Sequence, residues 1–133
     1  RPAVATTMSA ADTALIQRVN SAMQAGLWRE EGLTIRALSE RLNTQEHRLR
    51  RAINQSLGHR NFASFINGYR IELAQEILSD AAQAERTILS IAYDVGFASL
   101  GPFNRAFRAA TGQSPTDFRR ARMQAENGPA GSA

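Results

Sequence analysis

The sequence has no cysteine, which excludes a disulfide framework, a thiolate zinc site and a cysteine nucleophile. It has no lysine either: all 16 Lys+Arg positions are arginine. Two histidines, His47 and His59, leave little for a metal site. No stretch approaches the roughly 18 consecutive apolar residues that a membrane span needs. The start, Arg1-Pro2-Ala3-Val4-Ala5-Thr6-Thr7, lacks a long apolar run behind a basic region, which argues against a signal peptide. β-Branched residues are sparse and alternating apolar patterns are absent, so strand signals are missing. There are no paired carboxylates near a histidine, no glycine-rich phosphate loop after a strand, no cluster of metal ligands and no nucleophile motif. The chain is read as no enzyme, with no metal and no cofactor.

What remains is an all-α domain's worth of sequence in 133 residues, rich enough in apolar side chains to bury a core. Against 12 acids the arginines give a net charge of +4. A basic balance carried only by guanidinium favours phosphate partners, because the planar fork fits phosphate bidentately. The first residue is not methionine, and the chain is expected to be the C-terminal part of a longer protein.

Helical periodicity predicts seven helices between a flexible lead-in (1–8) and a flexible tail (125–133). Ser9, with Asp12 three residues on, is a capping-box start for a first helix carrying Leu15, Ile16, Val19, Met23 and Leu27, ended by Glu30-Glu31-Gly32. Thr34 caps a second helix with Ile35, Leu38 and Leu42, and Asn43 is a turn residue that tolerates positive φ. Thr44 caps a third helix that runs to Leu57 and stops at Gly58. A long fourth helix, about 61–78, has a broad apolar face built on Phe62, Phe65, Ile66, Tyr69, Leu73 and Ile77. After a polar break, Thr87 opens a fifth helix that ends at Gly96. Ser99 caps a sixth with Phe103 and Phe107, closed by Gly112. Ser114-Pro115-Thr116-Asp117 then starts the seventh: cap, proline in the first turn, acid at the third position.

Self-comparison exposes an internal repeat. Ile35, Leu38, Ser39, Leu42 and Asn43 align with Ile88, Ile91, Ala92, Val95 and Gly96 at an offset of 53. Past the turn, Leu49, Arg51, Ile53 and Gly58 align with Phe103, Arg105, Phe107 and Gly112 at an offset of 54, so the second copy has one extra turn residue. Each copy reads as short helix, tight turn, longer helix, glycine, which is helix-turn-helix geometry. Arg51 and Arg105 each lie two residues from core positions on either side, so they point away from the core. Charge follows the same division. Residues 44–60 carry a net +3 and residues 99–124 a net +4, whereas residues 71–94 carry −4.

The segments Leu49-Arg50-Arg51-Ala52-Ile53, Tyr69-Arg70-Ile71-Glu72-Leu73-Ala74, Ile91-Ala92-Tyr93-Asp94-Val95-Gly96-Phe97, Phe103-Asn104-Arg105-Ala106-Phe107-Arg108 and Gly112-Gln113-Ser114-Pro115 with Phe118-Arg119 carry a resemblance. Over about residues 12–122 the chain resembles the AraC/XylS family of bacterial transcription regulators. The second half carries the stronger signature, since Ile53 stands where the family usually has phenylalanine. The resemblance implies a DNA-binding domain over residues 9–124, with two helix-turn-helix units joined by the long middle helix. Their recognition helices, about 44–57 and 99–111, would enter successive major grooves of an operator. Grooves recur about every 34 Å, and a helix of about 18 residues spans about 27 Å.

The family's base-reading positions fall on His47, Arg50 and Arg51, and on Leu100, Gly101, Asn104 and Arg105. Arg51 suits guanine O6/N7, with a phosphate contact or an internal salt bridge as the bland reading. His47 is equally an exposed helix residue, and Leu100 either touches a thymine methyl or packs. Gly101 has no side chain to read with, so selection in the second half-site should rest on Arg105, helped by Asn104. Arg60, Arg108 and Arg119, and the helix starts at Thr44, Thr87 and Ser99, are expected phosphate contacts. Arg70 and Asp94 are read either as such surface groups or as a structural pair. Further partners implied are RNA polymerase and an effector sensed by an N-terminal domain outside this chain. That domain is either a soluble sensory barrel, with the whole protein cytoplasmic, or membrane-embedded, as in members resembled by His47-Arg48-Leu49-Arg50-Arg51 and Ser99-Leu100-Gly101-Pro102-Phe103. The isolated domain is expected to be monomeric, because the repeat already supplies two reading heads. The competing reading is a helical protein-interaction module that sets its arginine faces on an acidic partner.

Overall fold

The computed structural model describes residues 9–132, with side chains through residue 125, so the expected lead-in and Ala133 lie outside the described residues. Seven α-helices and no strand occur among these residues: α1 (Ala10–Gln24), α2 (Ile35–Arg41), α3 (Glu46–Arg51, continued by a π-helical turn, Ala52–Ser56), α4 (Phe62–Leu78), α5 (Ile88–Val95), α6 (Leu100–Thr111) and α7 (Pro115–Ser132). The chain divides into two compact units. The first comprises the residues up to Leu27 together with Leu33–Ile66; the second comprises Trp28–Gly32 together with the chain from Asn67 onward. α4 begins in the first unit and continues in the second.

In the first unit α1 buries Leu15, Val19 and Met23, one helical face at i, i+4, i+8. The Ser9 hydroxyl accepts from the Asp12 N–H at 3.0 Å, as the capping pattern predicts. α1 is shorter than its apolar spacing predicts. It ends at Gln24 because Gly26 takes φ +85°, and Leu27–Arg29 form a separate 3₁₀ turn. α1 packs on the π-helical turn, where Ala52 and Ile53 are buried, and α2 packs on α3, with Leu38 and Leu49 both fully buried. Ser39 is buried at the helix-turn-helix crossing, and its hydroxyl donates to the Arg36 carbonyl at 2.7 Å. Asn61 closes the loop before α4, its Oδ1 accepting from the Ser64 N–H at 2.8 Å.

The second unit has an apolar centre of Ile71, Ala74, Ile77 and Leu78 from α4, Ile91, Ala92 and Val95 from α5, and four phenylalanines. The rings form a chain: Phe97–Phe103 at 5.3 Å, Phe103–Phe107 at 5.8 Å and Phe107–Phe118 at 5.2 Å between centroids. Edge-to-face and tilted contacts of this kind are worth about 0.5–1.5 kcal/mol beyond area burial. α7 starts as the sequence predicts, the Ser114 hydroxyl accepting from the Asp117 N–H at 3.1 Å. It runs to Ser132, over the stretch that the sequence assigns to a tail; Ala121 and Ala125 are strong helix formers that carry it past residue 124.

The repeat is visible in the backbone. Thr34 accepts from the Ala37 N–H at 3.0 Å, and Thr87, 53 residues on, accepts from the Ser90 N–H at 3.1 Å. At the first turn Asn43 has φ +53°, with Asn43 N–H to Glu40 O and Thr44 N–H to Ser39 O. At the second Gly96 has φ +114°, with Gly96 N–H to Tyr93 O and Phe97 N–H to Ala92 O. These are Schellman closures with the same pairing, offset by 53 throughout. The next helices begin after Gln45 and Ser99, an offset of 54, so the extra residue of the second copy lies within this turn.

Three predicted details change. Thr44 does not cap α3: its N–H is committed to Ser39 O, and Gln45 occupies the cap position with no side-chain hydrogen bond. Ser99 caps α6 by position only, also without a side-chain bond. The last turn of α3 is wound wider than that of α6, with Leu57 N–H reaching Ala52 O at 2.9 Å. Composition explains the difference: Asn54, Gln55 and Ser56 stand where α6 has Arg108, Ala109 and Ala110, which hold the regular helix better.

Trp28–Gly32 is fixed in the second unit by Arg70. This residue is only 9% exposed; its Nε donates to Trp28 O at 2.7 Å and its Nη2 to Glu30 O at 2.9 Å, and its guanidinium carbon lies 5.5 Å from the Phe97 ring centroid. Trp28 stacks on Tyr69, centroids 6.0 Å apart. Arg70 and Asp94 are thus both scaffold groups, but they do not pair with each other. Asp94 holds Arg29 at 2.7 Å and Arg86 at 3.2 Å. Burial pushes the Asp94 carboxyl up, but hydrogen bonds from Arg86 and Arg29, and their charges, outweigh it and leave it below its ordinary value.

Two expectations follow. A Cβ at Gly96 would stand 2.7 Å from Arg70 Nε and 3.0 Å from Arg29 O, on a backbone that already disfavours side chains. Gly96→Ala should therefore cost about 2 kcal/mol or more in urea unfolding. Asn43→Ala, at the equivalent turn, should cost only about 1 kcal/mol. Asp94 takes up protons less readily folded than unfolded, so its contribution is full above the ordinary carboxylate range and is lost as pH falls through its folded value. Asp94→Asn should accordingly be less stable than the parent at neutral pH, and the gap should close in unfolding measured at strongly acid pH.

Candidate nucleic-acid interface

The two second helices of the repeat, α3 and α6, bury equivalent residues. Leu49 and Phe103 are fully buried, as are Ile53 and Phe107. With those faces committed, helical spacing turns positions 47, 50 and 51, and 101, 104 and 105, outward; all six are exposed. Both helices end at a left-handed glycine, Gly58 at φ +75° and Gly112 at φ +79°. The repeat thus presents two faces of one design.

Internal contacts sort the arginines. Arg18 donates to Leu42 O; Arg29 and Arg86 hold Asp94; Arg36 pairs with Glu40, Arg48 with Asp12 and Arg120 with Asp117. Arg122 lies over the Phe118 ring, 4.9 Å from its centroid. The side chains of Arg51, Arg60, Arg105 and Arg108 have no ion pair, hydrogen bond or ring contact among the described residues, and all four residues are exposed. These are two of the residues expected to read bases and two of those expected to hold phosphates.

Two other candidates are engaged. Arg50 is bound by Glu46 four residues earlier, Nη2 to Oε2 at 2.5 Å. Arg119 is half-buried, and its Nη1 donates to the Arg86 carbonyl at 2.6 Å, closing α7 onto the loop before α5. Spacing from the core missed both: an acid four residues before Arg50 is the signal that could have found the first, whereas the Arg119 contact spans 33 residues and has none. It also missed Arg86, which ties Gln83, Ser90 and Asp94 together.

Four of the candidates line two grooves. In the first unit Thr44 lines a groove with Arg18, Ser39, Asn43, Gln45 and Arg48. In the second unit Leu100, Asn104 and Arg108 line one with Ser114, Pro115 and Thr116. Leu100 is 37% exposed, large for an apolar side chain that had packing as its alternative. The Thr87 hydroxyl accepts from an amide and still has its own proton to donate. The Ser99 hydroxyl makes no capping bond. Among the described residues no group of metal-ligating side chains occurs, and no helix is long and apolar enough to cross a membrane.

The geometry agrees with what the chain is similar to. A family model described as a helix-turn-helix domain matches residues 38–121. The transcriptional activator RhrA of Rhizobium meliloti (strain 1021) is 43% identical over 60 residues, covering 44% of this chain and 18% of that protein. An HTH-type transcriptional regulator of Staphylococcus aureus (strain MSSA476) is 36% identical over 89 residues, covering 67% of this chain and 11% of that protein. The chain thus spans less than a fifth of the length of these relatives. Among solved structures, the C-terminal domain of AraT, a response regulator from Geobacillus stearothermophilus, superposes with a TM-score of 0.67 at 29% identity, covering 87% of this chain and 88% of that one. An AraC-type transcriptional regulator from Chromobacterium violaceum gives 0.70 at 22% identity, covering 87% and 98%, and shows the shared fold. With the matched segment taking in α5, α6 and most of both repeats, the chain belongs to the helix-turn-helix domain family, in its AraC-type form.

Proposed function

We propose that this chain reads duplex DNA for a transcription regulator, each repeat setting its second helix, α3 or α6, in a major groove. The observation that carries the reading is the pairing of Arg51 with Arg105. They occupy the same position in two structurally equivalent helices, both exposed and both without an internal partner among the described residues. A guanidinium held out on a helix face is shaped for bidentate contact with guanine O6 and N7. His47, Arg50, Leu100 and Asn104 flank these two residues as further base contacts, Arg50 at the cost of leaving Glu46.

Arg60 and Arg108, with the hydroxyls of Thr44, Thr87 and Ser99, supply phosphate contacts that fix register without reading sequence. Arg119 contributes less, because Arg86 O already holds it. RNA polymerase and an effector-sensing domain are partners of the whole protein in this reading, which places it in the cytoplasm. The competing module, arginine faces on an acidic protein, explains neither the duplicated turn nor the matched pair of free arginines.

A binding selection against random duplex DNA near physiological salt tests this. It should recover an asymmetric site of two short blocks, and the spacing expected from the sequence, about one helical turn, is read from the same data. Arg51→Ala and Arg105→Ala should each weaken binding by about 10- to 100-fold and relax selectivity in one block only. Arg60→Ala or Arg108→Ala should weaken all sequences alike and lower the log–log salt slope by about 1. Absence of any enriched sequence, or binding insensitive to salt, would overturn the reading.

A further inference from the structure

α6 opens with a residue that its backbone does not require. Gly101 is the second residue of the helix and is not in the left-handed region, so any side chain fits its conformation. Glycine within a helix costs up to about 1 kcal/mol relative to alanine. Beyond its chain neighbours and the backbone of its own helix, one atom lies within van der Waals reach of where its Cβ would be: Nη1 of Arg105, at 3.5 Å. The Arg105 side chain therefore folds back one turn along the exposed face of α6 and rests over Gly101. Residues four apart on a helix are neighbours, so whatever stands at 101 meets this guanidinium first.

The first repeat shows what a side chain at such a position does. Offset by 54, Leu100 and Asn104 of α6 correspond to Glu46 and Arg50 of α3. There the acid at the earlier position has captured the arginine four residues later at 2.5 Å. One register on, His47 precedes Arg51 where Gly101 precedes Arg105, and Arg51 has no ion pair among the described residues. The molecule thus contains both outcomes: an arginine bound by its own helix, and an arginine left to face outward.

We infer that position 101 sets specificity through Arg105: with no acid one turn before it, the guanidinium stays unpartnered and able to swing between the helix surface and a base edge. Gly101 is a positioning residue, and the inference rests on the proposal that Arg105 reads the second half-site. An alanine at 101 makes only an ordinary contact at 3.5 Å and should leave the arginine's reach intact. A glutamate at 101 has the right spacing and order to hold Arg105 as Glu46 holds Arg50. It also suits the positive end of the helix dipole, so α6 should fold normally.

The test compares the base preferences of the full chain, Gly101→Ala, Gly101→Glu, Arg105→Ala and the double variant Gly101→Glu/Arg105→Ala, by selection from random duplex DNA, with thermal unfolding in parallel. Gly101→Ala should retain more of the guanine preference in the second block than Gly101→Glu does, and should unfold at a higher temperature. Gly101→Glu should lose tenfold or more of the guanine preference in the second block, as Arg105→Ala does, while the first block stays unchanged. The double variant should be no less selective than Arg105→Ala alone, which separates capture of the arginine from general repulsion of phosphate by the added acid. Retention of the guanine preference by Gly101→Glu, with Arg105→Ala having lost it, overturns the inference and leaves the reading of DNA standing. An unchanged preference in Arg105→Ala overturns the assignment of Arg105 itself, and the inference with it.

Discussion

The fold depends on a turn that must end one helix and launch another within a few residues. Both copies solve it in the same way. A residue in the left-handed region lets two successive N–H groups reach back to carbonyls three and five residues earlier, so the helix end is satisfied while the chain reverses. Once that turn is fixed, the next helix has no freedom about which face it buries. Leu49 and Ile53, or Phe103 and Phe107, go in, and the positions between them go out. The outward arginines are a consequence of the turn as much as of their own sequence.

The two turns are alike in backbone and differ in what surrounds them. At the first, Asn43 is exposed, and a short polar side chain tolerates the conformation. At the second, Gly96 is buried beneath Arg70 and the Arg29 carbonyl, so glycine is demanded twice, by φ and by space. Arg70 brings a charge to a largely buried place, which calls for acceptors on its donors and a partner for its charge. Its hydrogen bonds go to two backbone carbonyls of Trp28–Gly32, and an aromatic face accepts its charge. A segment that follows α1 in sequence is thereby made part of the second unit.

Much of this was legible in the residues, and what was not has a common cause. Helix starts marked by Ser9, Thr34, Thr87 and Ser114, and the stops at Gly96 and Gly112, follow from local chemistry and stand where the pattern places them. The repeat is a matter of spacing and survives down to single hydrogen bonds. The early end of α1 was missed because Leu27 fits the helical period while Gly26 breaks it, and a period gives glycine no weight. The wide turn of α3 was hidden because helix propensity separates α from coil and says nothing about winding. For the site, spacing from the core made exposure legible but not engagement. Arg50 and Arg51 carry the same charge, yet Arg50 is held by Glu46 four residues earlier, while Arg51, with His47 at that spacing, is not. Which arginine remains available is a property of side-chain reach, and a periodic pattern does not encode reach.

That distinction bears on how a lysine-free protein becomes selective. With every cation a guanidinium, net charge alone would give a surface that grips any phosphate chain. Selectivity then requires that most arginines be occupied and a few be left at defined places. Ion pairs four residues apart, carbonyl contacts and ring contacts occupy most of those described, and the four left over are Arg51, Arg60, Arg105 and Arg108. The surroundings of the free pair also differ: His47 and a captured Arg50 beside Arg51, Gly101 and Asn104 beside Arg105. Two heads of one fold with unlike faces have no reason to prefer a palindrome, which is the signature of paired identical subunits. In the proposed reading of DNA, a single chain built this way would distinguish the two ends of its site, and so would carry a direction that a symmetric dimer does not.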